Sequence, residues 1–428
     1  MLAKAASLLT AASVVAMSSA SPVTHTISKD VVVVGGGAAG AYAAVRLRED
    51  YGKSIALVER EARLGGAVDT WTDPKTGMPY ELGVEAFLDY GNATTGKFVN
   101  YTSPTAAEQL AAFQRYVELC EKYEGMMLPG LWNFPTADNI PKDLLLNFGD
   151  FARKYEIEAA VPTIWDISAS FPAPLARVYT GKARTLYVAS HRNQDIYDRV
   201  SDTLSDDVLY SSTVVNATRT PNGVSIIAKG ADGHQTEIRA KRLLIAIPLT
   251  VPNLTPFKLD KKELSVLSKT AYTQAYAGGV VSSNLPLNIT IINSASRNWL
   301  GLPDLSLLQW YKNLDSPDRY HKVMMFGNQA LDSDGSKALV EQSYRQLVGA
   351  GSLPEASGRG LEWLHFQCHG SVNIRASMED LKAGFIQELY SLQGHLSTWY
   401  TGAAWSAQLH TPTWAFSDSV IPRLVEGL

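Results

Sequence analysis

Cysteine and surplus charge are both scarce in this sequence of 428 residues. Its two cysteines are too few for a disulfide scaffold or a four-thiolate zinc site. With 38 basic against 42 acidic residues and no long basic run, the chain lacks a surface suited to nucleic acid or an anionic membrane. No later apolar run approaches the roughly 20 residues that cross a bilayer. Hydrophobic residues make up 46% of the chain, which suits a packed globular enzyme and excludes a disordered chain.

The first twenty residues have the pattern of a secretory signal peptide. Lys4 precedes a short apolar run, and Ser18-Ser19-Ala20 supplies small residues for cleavage near Ala20. We therefore predict a secreted protein with a signal over residues 1–20. In a secreted chain, Asn-x-Ser/Thr triplets are candidate glycan acceptors, and five occur: Asn92, Asn100, Asn216, Asn253 and Asn288. Whether Cys120 and Cys368 pair in such an environment is left open by the sequence.

The strongest motif begins after Asp30. Four valines, Val31–Val34, are typical of a parallel strand that is buried on both faces. The glycine-rich segment 35–40 follows, then a helical stretch, and then a second strand, Ser54–Val58, that ends at Glu59. Strand, glycines, helix, strand and acid in this order predict a dinucleotide-binding site.

Each residue of the motif has a physical role in such a site. Gly35 permits the tight turn, Gly37 lets the backbone approach a pyrophosphate, and Gly40 allows close packing of helix on strand. The pyrophosphate would lie at the helix N-terminus, where free N–H groups favour negative charge. Glu59 would accept hydrogen bonds from ribose hydroxyls, and its charge disfavours NADP.

Later segments indicate a ligand that extends beyond this motif. Gly65 and Gly66 follow the second strand closely, as expected where the backbone approaches a second part of the same ligand; a simple loop is the alternative. A hairpin over 223–229 and 235–240 leads into a buried-strand pattern, Arg242–Ile247. Near the C-terminus, Thr411 as N-cap and Pro412 as first helical residue predict a final helix. Its N-terminus could hold negative charge that develops on a reduced flavin.

Together these segments resemble the FAD-dependent amine oxidase-like superfamily over nearly all of the chain after the signal. Within it, the sequence looks most like secreted fungal flavoproteins of the β-cyclopiazonate dehydrogenase type, with FAD-dependent double-bond isomerases as more distant relatives. The residues that carry the narrower likeness are Gly35–Tyr42, Leu64–Thr70, Tyr80–Glu85, Leu392–Gly394 and Tyr400–Ala404.

The resemblance implies an α/β fold in which a Rossmann-like FAD-binding domain of the glutathione-reductase type is interleaved with an α+β substrate domain. The FAD-binding domain would be discontinuous, over 28–95, 200–255 and 393–428. The substrate domain would comprise 96–199 and 256–392. The cofactor implied is FAD, and the residues implied to bind it are Gly35, Gly37, Ala39, Gly40, Glu59, Gly65, Gly66, Ala67, Val214, Gly402, Ala403 and Thr413.

The sequence departs from the amine oxidase pattern in two places. Ala67 stands where many amine oxidases have an arginine, and the strand Tyr272–Val281 lacks the lysine that they place beside flavin N5. These departures put an efficient amine oxidase in doubt. No cysteine occupies an obvious position for a covalent link to the flavin.

The substrate side is read from polar and aromatic residues. We predict a pocket that includes Gln274 and Tyr276 and, because they flank Gly402, Tyr400 and Trp405; the alternative for each aromatic is ordinary core. His365 and His369 flank Cys368, which is too few ligands for a closed metal site, so no metal is predicted. One of these histidines, or Tyr276, is a candidate proton acceptor, with a core or solvated histidine as the alternative.

The predicted function is hydride removal from a small, largely apolar or aromatic specialised metabolite, with oxidative ring closure as one form of the reaction. Dioxygen or another acceptor would reoxidise the flavin. A redox-neutral isomerase, a flavin amine oxidase and a non-catalytic flavin carrier are the alternatives. A second glycine fingerprint for NAD(P)H is absent from the sequence, which weighs against a reductase or an NADPH-driven monooxygenase.

Overall fold

The structure, a computed structural model, describes residues 23–83, 90–91, 104–161, 164, 188–289, 291–293, 308–314, 316, 318–357, 360–406 and 409–428. The predicted signal, Asn92 and Asn100 lie outside these residues. The strands are β1 (Val23–Val34), β2 (Ile55–Val58), β3 (Thr70–Thr72), β4 (Pro79–Glu81), β5 (Tyr90–Gly91), β6 (Val208–Leu209), β7 (Ser212–Thr220), β8 (Gly223–Gly230), β9 (Gln235–Ile245), β10 (Ala271–Val281), β11 (Ile291–Asn293), β12 (Leu308–Asn313), β13 (Tyr320–Gly327), β14 (Glu362–Arg375) and β15 (Thr398–Tyr400). The helices are α1 (Ala38–Glu49), α2 (Ala106–Met127), α3 (Phe148–Lys154), α4 (Gln194–Leu204), α5 (Val251–Leu254), α6 (Lys261–Leu267), α7 (Ser333–Gly349), α8 (Met378–Lys382), α9 (Phe385–Tyr390) and α10 (His410–Val425).

The first sheet has the order β6-β2-β1-β9-β8-β7, and β15 also pairs with β9. Its strands β6, β2, β1, β9 and β15 run parallel to their neighbours, whereas β7 and β8 add an antiparallel flank. Val31–Val33 are fully buried, as are Ile55–Leu57 and Leu243–Ile245. This burial on both faces confirms what the valine run predicts, and a parallel sheet of this kind requires helices on its faces.

Helices α1 and α10 pack side by side on this sheet and run in the same direction. The indole N–H of Trp414 donates to the carbonyl of Ala38 over 3.0 Å, and one turn further on the Tyr42 hydroxyl donates to the Asp418 carboxylate over 2.9 Å. The rings of Tyr42 and Trp414 are stacked with centroids 5.4 Å apart. The N-termini of both helices therefore lie at the same end of the sheet.

The second sheet has the order β14-β10-β13-β12-β11-β5. Side chains alternate between its two faces. One face, here called the outer face, carries Tyr276, Phe366 and Cys368 and packs with Val340 and Leu347 of α7 in a hydrophobic cluster. The other, here called the inner face, carries Lys322, His365, Gln367 and His369 and lies toward the segment 63–69 of the first domain. The presence of a mainly parallel sheet and a separate, mainly antiparallel sheet confirms the interleaved α/β and α+β architecture.

The predicted domain boundaries separate the strands of the two sheets, with β5 as the exception. β5 falls in the predicted FAD-binding piece 28–95 but pairs with β11 of the second sheet. The boundaries themselves stay a prediction. A local prediction was wrong: 235–240 and 242–247 are not two strands, because β9 runs without a break from Gln235 to Ile245, paired in parallel with β1 along its length and with β8 on its other side up to Ala240.

Other predictions concern the chain as a whole. Among the described residues, no helix is long and apolar enough to cross a membrane. Cys120 and Cys368 are thiols that form no disulfide, and they belong to separate hydrophobic clusters. Asn216, Asn253 and Asn288 are exposed, although the Asn253 amide donates to the Pro248 carbonyl over 3.0 Å. Glycan attachment stays a prediction.

Candidate active site

The carboxyl ends of four parallel strands converge at one edge of the first sheet. The N–H of Gly35, after β1, donates to Val58 O over 2.9 Å, and the N–H of Ala246, after β9, donates to Val34 O over 2.9 Å. The N–H of Thr401, after β15, donates to Ile245 O, also over 2.9 Å. Ligands of open α/β sheets bind outside this edge.

Gly40 explains how α1 comes so close to the turn that precedes it. A Cβ atom at Gly40 would lie 1.9 Å from the carbonyl oxygen of Gly35, so no other residue fits without moving the helix. Gly37 is the N-cap, and the first hydrogen bond of this turn runs from Ala41 N to Gly37 O over 2.9 Å. The N–H groups of Ala38, Ala39 and Gly40 are thereby left for an anion at the helix N-terminus.

Glu59 is almost entirely buried, and backbone N–H groups hold its carboxylate in place. Oε2 accepts from Gly36 N over 2.6 Å, and Oε1 accepts from Glu61 N over 2.8 Å. Each oxygen keeps a second lone pair for a ribose hydroxyl. β7 begins beside it, since Ser212 N donates to Glu59 O over 2.9 Å, and this brings Val214 to the same end of the site.

The second glycine pair lies directly against the first. Gly65 N donates to Gly36 O over 3.0 Å, and a Cβ at Gly66 would lie 2.8 Å from the Cα of Gly37. Gly66 and Ala67 are exposed, whereas Gly65 and Val68 on either side are buried. A Cβ at Gly402 would lie 3.9 Å from the Cβ of Ala39, which places the late Gly402-Ala403 motif at the same turn.

The final helix begins earlier than the sequence predicts. Leu409, not Thr411, is the N-cap, and α10 starts at His410 rather than at Pro412. The N–H of Thr413 donates to Leu409 O over 3.2 Å within the helix. The N–H groups left at the helix N-terminus are therefore those of His410 and Thr411, because Pro412 has none. The role of Thr413 toward a flavin stays a prediction.

These residues fit FAD. The N-terminus of α1 suits the pyrophosphate, and that of α10 suits an electron-rich ring. Gly37 and Gly66 lie against each other, and the absence of side chains there leaves space in which a ligand can contact both backbones. The ring of Tyr197 lies beside Gly65, with its Cδ2 3.4 Å from the place of a Cβ there, and its hydroxyl is buried without a hydrogen-bond partner among the described residues. A buried hydroxyl without a partner is costly, and a polar ligand atom within its reach would satisfy it.

Charged and titratable side chains meet where the segment 63–69 reaches the inner face of the second sheet. The ring Nε2 of His365 lies 3.0 and 3.1 Å from the two carboxylate oxygens of Asp69. The Asp69 side chain is 3% exposed and that of His365 is 31% exposed. Arg63 donates to Val68 O over 3.0 Å, and its Nη2 lies 3.9 Å from Asp69 Oδ1 and 3.5 Å from Gln367 Oε1.

Two further side chains of the inner face have their nitrogen atoms buried behind this pair. Lys322 on β13 is 3% exposed and donates to the carbonyl of Gly83. Neither ring nitrogen of His369 makes a hydrogen bond of normal geometry within the described part of the chain. Burial lowers the pKa of His369, although the nearby Asp69 carboxylate opposes that shift. β10 carries no lysine, as its sequence says, yet β13 brings Lys322 to the inner face opposite Gly279.

Tyr276 lies on the other side of the sheet from His365, and its predicted role is corrected here. Its ring stacks on Phe366 of the outer face, with centroids 5.8 Å apart, and its hydroxyl donates to Leu331 O. Gln274, two residues earlier on β10, shares this face by alternation. Neither residue therefore faces the segment that carries Gly65 and Gly66.

Tyr400 and Trp405 are core residues in the structure, which is the alternative that the sequence left open. Tyr400 is fully buried, and its hydroxyl donates to Glu263 over 2.9 Å. Trp405 is 1% exposed and is stacked near Tyr400 and Phe416, with centroids 5.8 and 5.9 Å away. Side chains so fully enclosed by protein do not line an open pocket in this structure, although Trp405 Nε1 has no hydrogen-bond partner among the described residues.

Sequence reasoning missed Asp69, Arg63 and Lys322. Asp69 stands three residues after Gly66, so its place beside the predicted second glycine pair was the available signal. Lys322 gave none, because its position depends on the register that pairs it with Gly279. Asp260, Glu263 and His395 also lie together, but the two carboxylates accept each other's backbone N–H groups as a capping box, and this explains their proximity.

Comparison with known proteins agrees with this geometry. A family model described as an NAD(P)-binding Rossmann-like domain matches residues 33–102. Over 439 residues the chain is 30% identical to the β-cyclopiazonate dehydrogenase of Aspergillus oryzae, and the match covers 94% of each chain. It is 32% identical over 464 residues to the FAD-dependent oxidoreductase oblC of Cochliobolus heterostrophus, covering 94% of this chain and 92% of that one.

Solved structures of low sequence identity share the fold. A CLA-producing fatty acid isomerase from P. acnes matches with a TM-score of 0.69 at 17% identity, over 93% of this chain and 99% of that one. Putrescine oxidase bound to putrescine matches with a TM-score of 0.56 at 16% identity, over 94% and 100% of the two chains.

The fold, the glycine turn and these relatives define an FAD-dependent oxidoreductase with an amine oxidase-like architecture. FAD is its cofactor. The chain belongs to the family of fungal FAD-dependent oxidoreductases that includes β-cyclopiazonate dehydrogenase.

Proposed function

We propose that this protein is a secreted FAD-dependent dehydrogenase or oxidase that takes a hydride from a small, largely apolar specialised metabolite. Oxidative ring closure is one form that the reaction would take. The observation that carries the proposal is the junction between the exposed Gly66-Ala67 backbone and the Asp69–His365 pair. This junction brings a cofactor cradle and an acid–base group together. The 94% mutual coverage with β-cyclopiazonate dehydrogenase supports the same reaction class.

The chain would hold FAD along the edge where the parallel strands end. Val214 would meet the adenine, Glu59 the ribose, and the N–H groups of Ala38, Ala39 and Gly40 the pyrophosphate. Gly65, Gly66, Gly402 and Ala403 would lie along the ribityl chain. When bound, FAD supplies a hydride acceptor at flavin N5.

The first N–H groups of α10 would serve the far ring of the flavin. His410 and Thr411 provide N–H groups that the helix itself does not use, and the helix dipole favours negative charge there. Burial lowers the pKa of His410, so this ring is neutral near pH 7 and adds no charge of its own. Stabilisation of the reduced cofactor would then depend on the backbone rather than on a side-chain cation.

The test is an absorbance spectrum of the purified protein followed by anaerobic titration. The probes are β-cyclopiazonate, putrescine and an unsaturated fatty acid. We expect a yellow protein whose flavin band is bleached by β-cyclopiazonate in a stoichiometric step and restored by air. Bleaching by putrescine instead would identify an amine oxidase. A protein that cannot be reconstituted with FAD would refute the proposal, and an unresponsive flavin would favour a non-catalytic carrier.

A redox-neutral isomerase is the second candidate, because the isomerase from P. acnes has the higher TM-score of the two structures compared above. In that reaction the hydride returns to the substrate, so no acceptor is consumed. Anaerobic conversion of the fatty acid over many turnovers would support the isomerase. Strict dependence of turnover on dioxygen or another acceptor would support the dehydrogenase.

A further inference from the structure

We propose that His365 accepts the proton that the substrate loses as its hydride leaves, and that Asp69 positions His365 for this step. The inference rests on the proposed function, since it concerns the same site. It selects one of the two histidines of the inner face and adds a carboxylate that has no assigned role.

The geometry fixes which ring nitrogen takes the proton. Both oxygens of Asp69 face Nε2 of His365, at 3.0 and 3.1 Å, and a carboxylate in this position stabilises the tautomer with the hydrogen on Nε2. The lone pair is then on Nδ1. The His365 side chain is 31% exposed while Asp69 is 3% exposed, so the ring reaches open space and its partner does not.

The backbone holds Asp69 rigidly in this role. Its own carbonyl accepts from Leu82 N over 2.7 Å and from Gly83 N over 3.2 Å. A carboxylate fixed from both its backbone and its surroundings does not need to reorganise when the imidazole becomes charged.

Charged groups face the pair from each neighbouring segment. Arg63 lies 3.9 Å from Asp69 on the same loop, Lys322 comes from β13, and His369 follows on β14 itself. The cations Arg63 and Lys322 partly offset the negative charge of Asp69 at the inner face. The arrangement suits a base that takes up a proton and later releases it.

His369 is not suited to this task. Its ring nitrogens are buried, and burial lowers its pKa, although the Asp69 carboxylate and the Ala67 backbone oppose the shift, so it favours the neutral form behind the pair. A proton acceptor must come within hydrogen-bond reach of the substrate, and that requires open space next to the ring.

The step also restricts the substrate class. As a hydride leaves a carbon atom, the proton of an adjacent N–H, O–H or activated C–H passes to Nδ1, and a double bond forms between the two atoms. Both electrons of the broken C–H bond go to FAD, and the histidine becomes an imidazolium. We therefore infer a substrate that carries an ionisable hydrogen beside the oxidised carbon.

The first test measures flavin reduction by β-cyclopiazonate at a series of pH values under anaerobic conditions. In the wild type we expect the rate to rise with pH as His365 loses its proton. His365→Gln should lower the rate by about 10²–10⁴-fold and remove this rise. Asp69→Asn should give a smaller loss and shift the rise to lower pH, because the charge that favours the imidazolium is gone. Asp69→Glu keeps the negative charge, so its rate should rise at the same pH as in the wild type.

The matched control is His395→Gln. His395 forms a similar pair, with Nε2 2.7 Å from Asp260 and a side chain that is 25% exposed, but it lies in a short helical turn and not on the second sheet. This variant should keep the wild-type rate and pH profile. A His365→Gln enzyme with an unchanged rate and profile would overturn the inference while leaving the proposed function intact.

The second test needs no substrate, and it separates a failure of this inference from a failure of the proposed function. Nitrogen-15 NMR of the FAD-loaded protein should show His365 protonated on Nε2, with a titration that moves to lower pH in Asp69→Asn. Protonation on Nδ1, or the same titration in both proteins, would overturn the inference. If β-cyclopiazonate, putrescine and the fatty acid all fail to bleach the flavin, the proposed function fails instead, and NMR still decides the tautomer.

Discussion

Replacing Gly40 by alanine tests whether the close approach of α1 to the glycine turn creates the cofactor site. The added Cβ would start 1.9 Å from the carbonyl oxygen of Gly35, whereas real Cβ contacts do not fall below 3.0 Å. The helix start must therefore move by about 1.1 Å, the difference between these two distances. Overpacking of this kind costs about 1–3 kcal/mol in unfolding free energy. It also displaces the N–H groups that face the pyrophosphate, so we expect FAD affinity to fall at least about tenfold.

Gly125→Ala is the matched control for this change. Gly125 also lies within a helix, α2, but a Cβ there would meet no atom within 4 Å. Alanine has the better helix propensity, so this variant should be neutral or more stable by up to about 1 kcal/mol, with unchanged FAD binding. Urea unfolding and fluorescence titration of FAD into the apoprotein measure both quantities. Equal FAD affinity in the two variants would refute the assignment of the turn as the cradle.

Three further predictions concern a buried ion pair, the carboxylate of Glu59 and the two thiols. Glu263→Gln breaks the ion pair with Arg219, in which the Glu263 and Arg219 side chains are 0% and 1% exposed, and should lower the unfolding free energy by about 3–5 kcal/mol. The surface control Glu388→Gln, which breaks the ion pair with Lys269, should lower it by only about 0–1 kcal/mol, and urea unfolding measures both. Burial raises the pKa of Glu263, but hydrogen bonds from Arg219 and the Asp260 backbone outweigh it and lower the pKa; this stabilisation is present above about pH 4 and lost as pH falls through the lowered pKa. Glu59→Gln can accept only one of the two backbone bonds, so FAD should bind about tenfold more weakly by the same titration. Because neither cysteine is in a disulfide, thiol titration of the denatured, unreduced protein should count two thiols; a count of none would indicate a disulfide.

The FAD-binding residues of the first sheet can be predicted from the sequence because each of their motifs is short and local. Val31–Val34, the glycines at 35, 37 and 40, and Glu59 occupy one continuous βαβ unit, and their spacing specifies how they meet. The later Gly402-Ala403 motif required the resemblance, since nothing local says that β15 pairs with β9. The start of α10 at His410 was mispredicted because Thr411-Pro412 has a strong capping pattern, while Leu409 has no capping side chain.

The acid–base residues at the second sheet could not be predicted in the same way, because their roles depend on which face of a strand each side chain occupies. His365 and Tyr276 sit on paired strands, and without the register between the strands their faces cannot be told apart. The register between β10 and β14 shifts between Ala275 and Tyr276 and again between Gly279 and Val280. Each shift inserts a residue on one strand, and a shift of one residue moves every following side chain to the opposite face. Such irregularities leave no clear mark in the residue pattern of β14, so only the structure separates the histidine that meets Asp69 from the tyrosine that packs on α7.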